Sequence, residues 1–416
     1  MSEALRLLLV NRPPPDPLGG GGGHHRSYQL KWELENAFGE EAVTAICCAN
    51  DVKFGKTEGK GTVDLSLRDG VTGLPGLTSL RLFRQYLTNP CFYRQNPHRL
   101  VVNTGFSTDA DVLKADFINR YRKCVEGPKR PDVVVIDDSR LGVLVAINVE
   151  HGIPTVGSMH NLESLDAYIS IRENNWGLGA TLGDLSAEYA ALAKLDACML
   201  ISKVETGLLT GLGLDVSFHP YLPRGIVRER FMKIRELRQG ASIEKGMFVV
   251  MGSARHSTTG ESMRWLTENA VTHGLPKACN LIFLGRGTRK VLADIPQVSD
   301  IQIKDWVEED VLVDMLSRAE GVLIPQQMGF GAVTRVADMA CAGIPTITSE
   351  HATLAINVPP GVSVAANNWK AWREQMSSLV ANRKAPDHEA YETWVAAAPS
   401  PLPDVVRHVV NATRKP

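Results

Sequence analysis

The sequence predicts an α/β protein built from two doubly wound domains, each a parallel sheet flanked by helices, that face one another across a cleft. Three observations carry this expectation. Short β-rich apolar runs alternate with helix-like segments, the signature of βαβ units. The runs fall into two series separated by a stretch rich in Pro, Gly and basic residues. At 416 residues the chain also exceeds one typical core, and length alone favours domains of about 200 residues.

The first series consists of "LRLLLV" (5–10), "DVVVID" (132–137), "IPTVGSMH" (153–160) and "ACMLIS" (197–202). The second runs "MFVVMGS" (247–253), "NLIFLGRG" (280–287), "IQIKDWV" (301–307), "GVLIPQ" (321–326), "IPTITS" (344–349) and "GVSVAAN" (361–367). One helix of the second series is expected to start at Thr258, with Glu261 completing a capping box, and to stop at Gly274. The separating segment, 219–246, sets the expected boundary: a first domain over 1–225, a second over 226–399, and an amphipathic tail, 400–416, that returns to the first. The segment 51–115 reads as loops and helices on the rim of the first domain.

Composition narrows the function. Apolar residues make up 44% and charged residues 22% of the chain, as in ordinary globular proteins. The 45 Lys and Arg balance 46 Asp and Glu, so no global field would hold the protein on nucleic acid. The seven cysteines include no C-x-x-C pair, which argues against a zinc site or a disulfide framework and fits a cytoplasmic protein. The N-terminus, with an arginine inside its short apolar run, reads as a first buried strand and not as a signal peptide or membrane span. No H-x-x-x-H, H-E-x-x-H, Walker A or Ser–His–Asp pattern stands out. No metal ligands are expected.

Open parallel sheets bind ligands at the carboxyl ends of their strands. The stretch "QQMGFGAVTRVADMACAGIPTITS" (326–349) places a turn with Gly329 and Gly331 ahead of a helix expected to begin near Ala332. Free N–H groups and the positive end of the helix suit a phosphate there. Arg335 and Asp338 share one helix face: the first could reach a diphosphate with a charge-assisted fork, the second could accept from the hydroxyls of a ribose. A surface Arg–Asp pair on a packing helix is the plain alternative. The glycine run "LGGGGGHHRSYQL" (18–30), with Gly21, Gly22 and Gly23, reads equally as a phosphate cradle or a floppy loop; in the first case His24, His25 and Arg26 would meet an anion. His160 ends a strand and should point into the cleft. "MGSARHS" (251–257) presents Ser253, Arg255 and His256 after the first strand of the second domain. Asp137 and Asp138 also end a strand, and capping the following helix is the simpler account of them.

These residues resemble the GT-B glycosyltransferases, whose two domains are Rossmann-like, in particular the retaining family 4. "GFGAVTRVADMACAGIPTITS" is similar to that family's G-x-G-x-x-x-K-x-x-E-A-x-A-x-G-x-P-V-V-x-S, "MHNLES" to its His-Asn-x-Glu segment, and "LIFLGRG", with Gly285, to its strand and glycine turn near the nucleotide. The resemblance implies a nucleotide-diphosphate sugar as donor, UDP-linked first and GDP-linked second, and transfer with retention to an unknown acceptor without a metal or other cofactor. By it Arg335 and Arg255 would meet the diphosphate, Asp338 the ribose, the backbone around Asp305, Trp306 and Val307 the base, and His160 the donor sugar. Two features depart from the pattern. Phe330 stands where the family has the first of two acids, and the usual Lys after the first strand of the second domain is missing, leaving Arg255 or His256 to replace it. They leave open a catalytically inactive binding or regulatory partner, or a sugar-nucleotide epimerase. The segment 79–99, with Arg81, Arg84, Arg94 and Arg99 among apolar residues, reads as a rim helix first and a peripheral contact with acidic lipid second.

Overall fold

The structure is a computed structural model and describes residues 5–11, 15–18, 21–47, 115–165, 182–383 and 386–413. The expectations for 51–114, including 79–99, lie outside the described residues.

The first sheet orders its strands β2-β1-β3-β4-β5-β6, all parallel. These are β1 Leu7–Asn11, β2 Val43–Cys47, β3 Val133–Ile136, β4 Thr155–Met159, β5 Ala197–Leu200 and β6 Val216–Phe218. Their runs are buried almost throughout, as parallel strands covered on both faces must be: Leu7 to Asn11 and Val133 to Ile136 are all buried. The described helices around this sheet are α1 Gly22–Phe38, α2 Ala115–Glu126, α3 Gly142–Glu150, α4 Leu182–Leu192 and α5 Lys203–Gly211. Two strands, β2 and β6, have no counterpart among the runs read from the sequence. β6 is a three-residue strand at the sheet edge with no fully buried residue, so its apolar signal is weak.

The second sheet runs β12-β11-β10-β7-β8-β9, again all parallel. Its strands are β7 Glu244–Met251, β8 Asn280–Leu284, β9 Ile301–Lys304, β10 Ala319–Ile324, β11 Thr346–Ser349 and β12 Val362–Ala365. The helices are α6 Gly225–Gly240, α7 Ser257–His273, α8 Thr288–Val291, α9 Glu309–Arg318, α10 Thr334–Cys341, α11 Glu350–Leu354, α12 Trp369–Ala381 and α13 His388–Ala397. The capping box expected at Thr258 does not form. α7 starts one residue earlier with His256 as N-cap and no side-chain cap bond, which moves Glu261 past the position from which it could reach back. Gly274 does end the helix, at φ 73°, a conformation glycine adopts without strain.

The last helix, α14 Leu402–Thr413, spaces Leu402, Val406, Val409 and Val410 along one face. That face packs with Leu7, Leu9, Val133 and Val156 of the first sheet. Each such side chain contributes about 1.5–3 kcal/mol relative to exposure. α6 instead buries Val227, Phe231 and Ile234 against Val249 and Val322 of the second sheet. The chain therefore crosses to the second domain before α6 and comes back after α13.

In each sheet the strand order reverses beside the first strand of its domain, between β1 and β3 and between β7 and β10. Such switch points leave a crevice at the carboxyl ends of the strands. The chain following those ends, in both domains, meets at one seam.

Candidate functional site

On the first-domain side, Asn11 closes β1 and Asp137 follows β3. Asp137 is wholly buried. One of its oxygens, Oδ2, accepts from Asn11 Nδ2 at 2.8 Å and from Ser27 Oγ at 2.7 Å, and lies 3.2 Å from His160 Nε2. Burial alone would raise this carboxyl. The charge of His160 and the hydrogen bonds from His160, Asn11 and Ser27 outweigh it and hold Asp137 below the ordinary carboxylate value. An ionised carboxylate only accepts, so Nε2 of His160 carries the proton. The imidazole is thereby oriented, and its side chain keeps 15% of its surface exposed. α3 has Leu141 as its N-cap, with no side-chain cap bond.

The loop after His160 is held by two buried acids from neighbouring helices. Glu205 Oε1 of α5 accepts from Leu162 N at 2.9 Å, and Glu188 of α4 accepts from Glu163 N at 2.8 Å and Ser164 N at 3.1 Å. Ser139 and Ser164 add their hydroxyls to Glu188. Burial nonetheless leaves the Glu188 carboxyl raised. The His-Asn-Leu-Glu-Ser segment is therefore fixed through its backbone amides.

On the second-domain side, Gly252 follows β7 and Gly285 follows β8. A Cβ on Gly285 would stand 1.7 Å from the Gly252 carbonyl oxygen, and one on Gly252 would stand 2.2 Å from Arg335 Nη1. Both glycines have positive φ, 150° and 142°. Only glycine allows the two turns and the guanidinium to share this space. Arg335 lies in the first turn of α10, whose N-cap is Val333. Its Nε is enclosed with no hydrogen-bond partner, and burial lowers its pKa to about 10 against the opposing pull of Asp338. His256, although an exposed residue, is lowered by desolvation and by the Arg335 charge. Arg255 is exposed and leans over the Gly287 turn, where a Cβ would meet its Cγ at 3.1 Å. Ser253 is half-buried, and its carbonyl accepts from His256 N at 3.1 Å.

The two sides touch. A Cβ on Gly22 would stand 2.2 Å from Thr334 Oγ1, and one on Gly331 would stand 2.9 Å from Asn161 Oδ1. Thus the neighbours of Arg335 and of His160 each meet the opposite domain. Ser202 Oγ donates to the Phe330 carbonyl at 2.6 Å, and Lys203 N to the Ala355 carbonyl at 2.9 Å. Gly329 takes φ 106° in the turn before α10.

Several residues stand differently from what the sequence led us to expect. Gly21 is the N-cap of α1, so Gly22, Gly23, His24 and His25 form helix instead of a loop. Arg26 is closed to a ligand phosphate. It is fully buried and donates to Gln29 Oε1, Ser158 Oγ and the Pro220 carbonyl. Asp338 is buried too, its Oδ1 accepting from Tyr221 at 2.7 Å. Trp306 is 56% exposed beyond β9. Asp305 Oδ1 accepts from Arg289 N at 2.8 Å, its carbonyl accepts from Gly285 N at 2.7 Å, and Val307 packs partly against the second-domain core. Asp137, Ser27 and Asn11 were not singled out as a site. The one available signal was that two of them end strands, and strand order decides whether those ends are neighbours.

Among the described residues no group of three or more His, Cys, Asp or Glu could hold a metal ion. No helix among them is long and apolar enough to cross a membrane.

No protein-family profile matches the chain, and no curated protein sequence matches it significantly. Solved structures do. Sucrose-phosphate synthase from Thermosynechococcus elongatus superposes with a TM-score of 0.58 at 13% identity, over 98% of this chain and 94% of that one. The chain has the GT-B fold. Anabaena HepE in complex with UDP superposes at 0.61 with 8% identity, over 98% of this chain and 99% of that one. The catalytic domain of starch synthase IV from Arabidopsis thaliana, bound to ADP and acarbose, matches at 0.61 with 11% identity, over 98% of this chain and all, 100%, of the other. These likenesses lie in the course of the chain through two six-stranded sheets, which brings the two switch points of this GT-B chain together at the seam.

Proposed function

We propose that this GT-B protein is a glycosyltransferase that takes a nucleotide-diphosphate sugar, UDP-linked, and transfers the sugar with retention to an acceptor held by the first domain. One observation carries the reading: at the switch point of the second sheet the Arg335 guanidinium stands against the Gly252 turn, with its Nε enclosed and unpartnered. A buried guanidinium nitrogen left without a hydrogen bond is costly, and a diphosphate supplies an acceptor and opposite charge with fork geometry. Nucleoside diphosphates occupy two of the structures the chain resembles, HepE with UDP and starch synthase IV with ADP.

In this reading the diphosphate lies on the Gly252 and Gly285 turns against Arg335, with Ser253 and His256 beside it and Arg255 at the rim. The exposed Trp306 and the backbone to Val307 flank the base. Gly21, Gly22, Gly23 and His24, together with Gly329 and Gly331, line the seam where the sugar enters. His160, held by Asp137, faces the sugar. Departure of the nucleotide builds negative charge on the diphosphate as positive charge builds on the sugar. Stabilising the first by a preorganised guanidinium requires no protein nucleophile and no metal.

A second reading has its own observation. Phe330 stands where the family has an acid, and its carbonyl is occupied by Ser202 in the seam. This favours a protein that binds a nucleotide-sugar without transferring it. A panel of nucleotides and nucleotide-sugars in thermal unfolding tests both. A true donor at about 100 times its Kd adds roughly 2.7 kcal/mol. A panel with no stabilising nucleotide overturns both readings. Binding without transfer to any sugar or sugar-phosphate acceptor leaves the second, and conversion of the donor with no acceptor present indicates an epimerase.

A further inference from the structure

Asp338 occupies the position that the resemblance gives to a ribose acid, yet its surroundings are protein from both domains. Its side chain is 6% exposed, and Tyr221, in the segment between β6 and α6, donates to Oδ1 at 2.7 Å. Burial and the Asp338 charge push the Tyr221 phenol well above its ordinary value, so it remains a donor. Tyr221 also packs with Ile201 of the first domain and Ala337 of the second, with Trp394 alongside. The other carboxylate oxygen, Oδ2, lies 3.7 Å from Nδ1 of His25 in the first turn of α1.

His25 is the unexplained group here. It is 6% exposed, and neither ring nitrogen has a hydrogen-bond partner. The edge of its ring rests on Phe231 of α6, with centroids 6.2 Å apart and planes at 76°. Buried polar atoms in folded proteins are almost always paired, and a separation of 3.7 Å is just beyond a hydrogen bond. A shift of about 1 Å of the His25 ring on α1 toward Asp338 on α10 would complete the contact. Those helices belong to opposite domains.

We propose that Asp338 is a positioning residue, an interdomain latch that holds Tyr221 and receives His25 when the two domains close, and that it is not the ribose acceptor. The latch sits one helical turn from Arg335, so its closing sets how firmly the diphosphate side is carried against His160. The link to catalysis rests on the proposed function; the latch itself does not.

The seam supplies a direct gauge. The Cβ position of Gly331 is 3.7 Å from Cβ of Asn161, inside the range of about 3.5–4.5 Å that a disulfide spans. In a chain carrying Asn161→Cys and Gly331→Cys, the rate of cross-linking under mild oxidation reports closure, with the bond identified by peptide mass spectrometry. Adding Tyr221→Phe, Asp338→Asn or His25→Phe should slow it, by about tenfold or more for the first two, each of which disrupts a hydrogen bond to a charged group. UDP and 2′-deoxy-UDP should be discriminated equally by wild type and Asp338→Asn. A cross-linking rate unchanged in folded Tyr221→Phe and Asp338→Asn chains, even with a lowered melting temperature, would overturn the latch. So would loss of the UDP over 2′-deoxy-UDP preference in Asp338→Asn with unchanged cross-linking. Should no nucleotide bind any form, the proposed function fails while the cross-linking rates still decide the latch.

Discussion

Gly252 and Arg335 compete for one volume: a Cβ on the glycine would stand 2.2 Å from Nη1 of the arginine. The resemblance expects a cation after the first strand of the second domain. In this chain Gly252 stands in that turn, and Arg335, from the first turn of α10, fills the space beside it.

Gly252→Ala should therefore behave like the loss of Arg335. Arg335→Ala removes a charge-assisted contact worth about 1.5–3 kcal/mol, roughly tenfold to hundredfold in affinity for a nucleoside diphosphate. Gly252→Ala should reach a comparable loss by displacing the guanidinium, and the double variant should be no weaker than the stronger single one. Calorimetry with UDP measures all three. Additive losses would mean that the glycine acts separately.

Asp137→Asn should lower turnover with little effect on donor binding. The amide can no longer hold Nε2–H of His160, Ser27 and Asn11 as a carboxylate does, and the lost charge-assisted bond corresponds to about tenfold to hundredfold. Nitrogen NMR of the imidazole provides a readout separate from activity. Wild type should show the Nε2-protonated tautomer, and the variant a mixture.

The acid stability of the fold should depend on Glu33. This carboxyl is desolvated, which would raise it, but the charge and hydrogen bond of His219, with Arg26 and Gln29, hold it down to about 2 from 4.5. Arg224 stands 3.9 Å away on the same side. A folded value below the unfolded one means stability that is fully present above about pH 4.5 and is lost as pH falls toward 2. Wild type should thus lose melting temperature steeply across that interval. Glu33→Gln should be less stable at pH 7, since it leaves His219 and Arg26 without their buried partner, but flatter in acid. Melting curves from pH 7 to about pH 2.5 check both slopes.

Transfer should proceed without a divalent metal, because Arg335 and Arg255 can neutralise the departing diphosphate. Rates measured in EDTA should equal those in Mg²⁺ or Mn²⁺. Activity abolished by chelation and restored by Mn²⁺ would refute the assignment.

The sequence by itself determined the parts whose signal is local. Continuous apolar runs such as "LLLV" and "VVVI" mark buried parallel strands wherever they fall, and all six runs of the second series became strands of one sheet. The glycine turn ahead of Arg335 was equally legible, because glycine and helix spacing act within a few residues. Tertiary structure alone decided what depends on distant segments meeting. Asp137 reads as a helix cap until the order β1-β3-β4 sets it beside Asn11 and His160. Arg26 and Asp338 read as ligand-facing charges until Pro220 and Tyr221, 194 and 117 residues away, occupy them. Helical periodicity states which residues share a face, whereas the partner that face meets is set by strand order and by how the two domains pack.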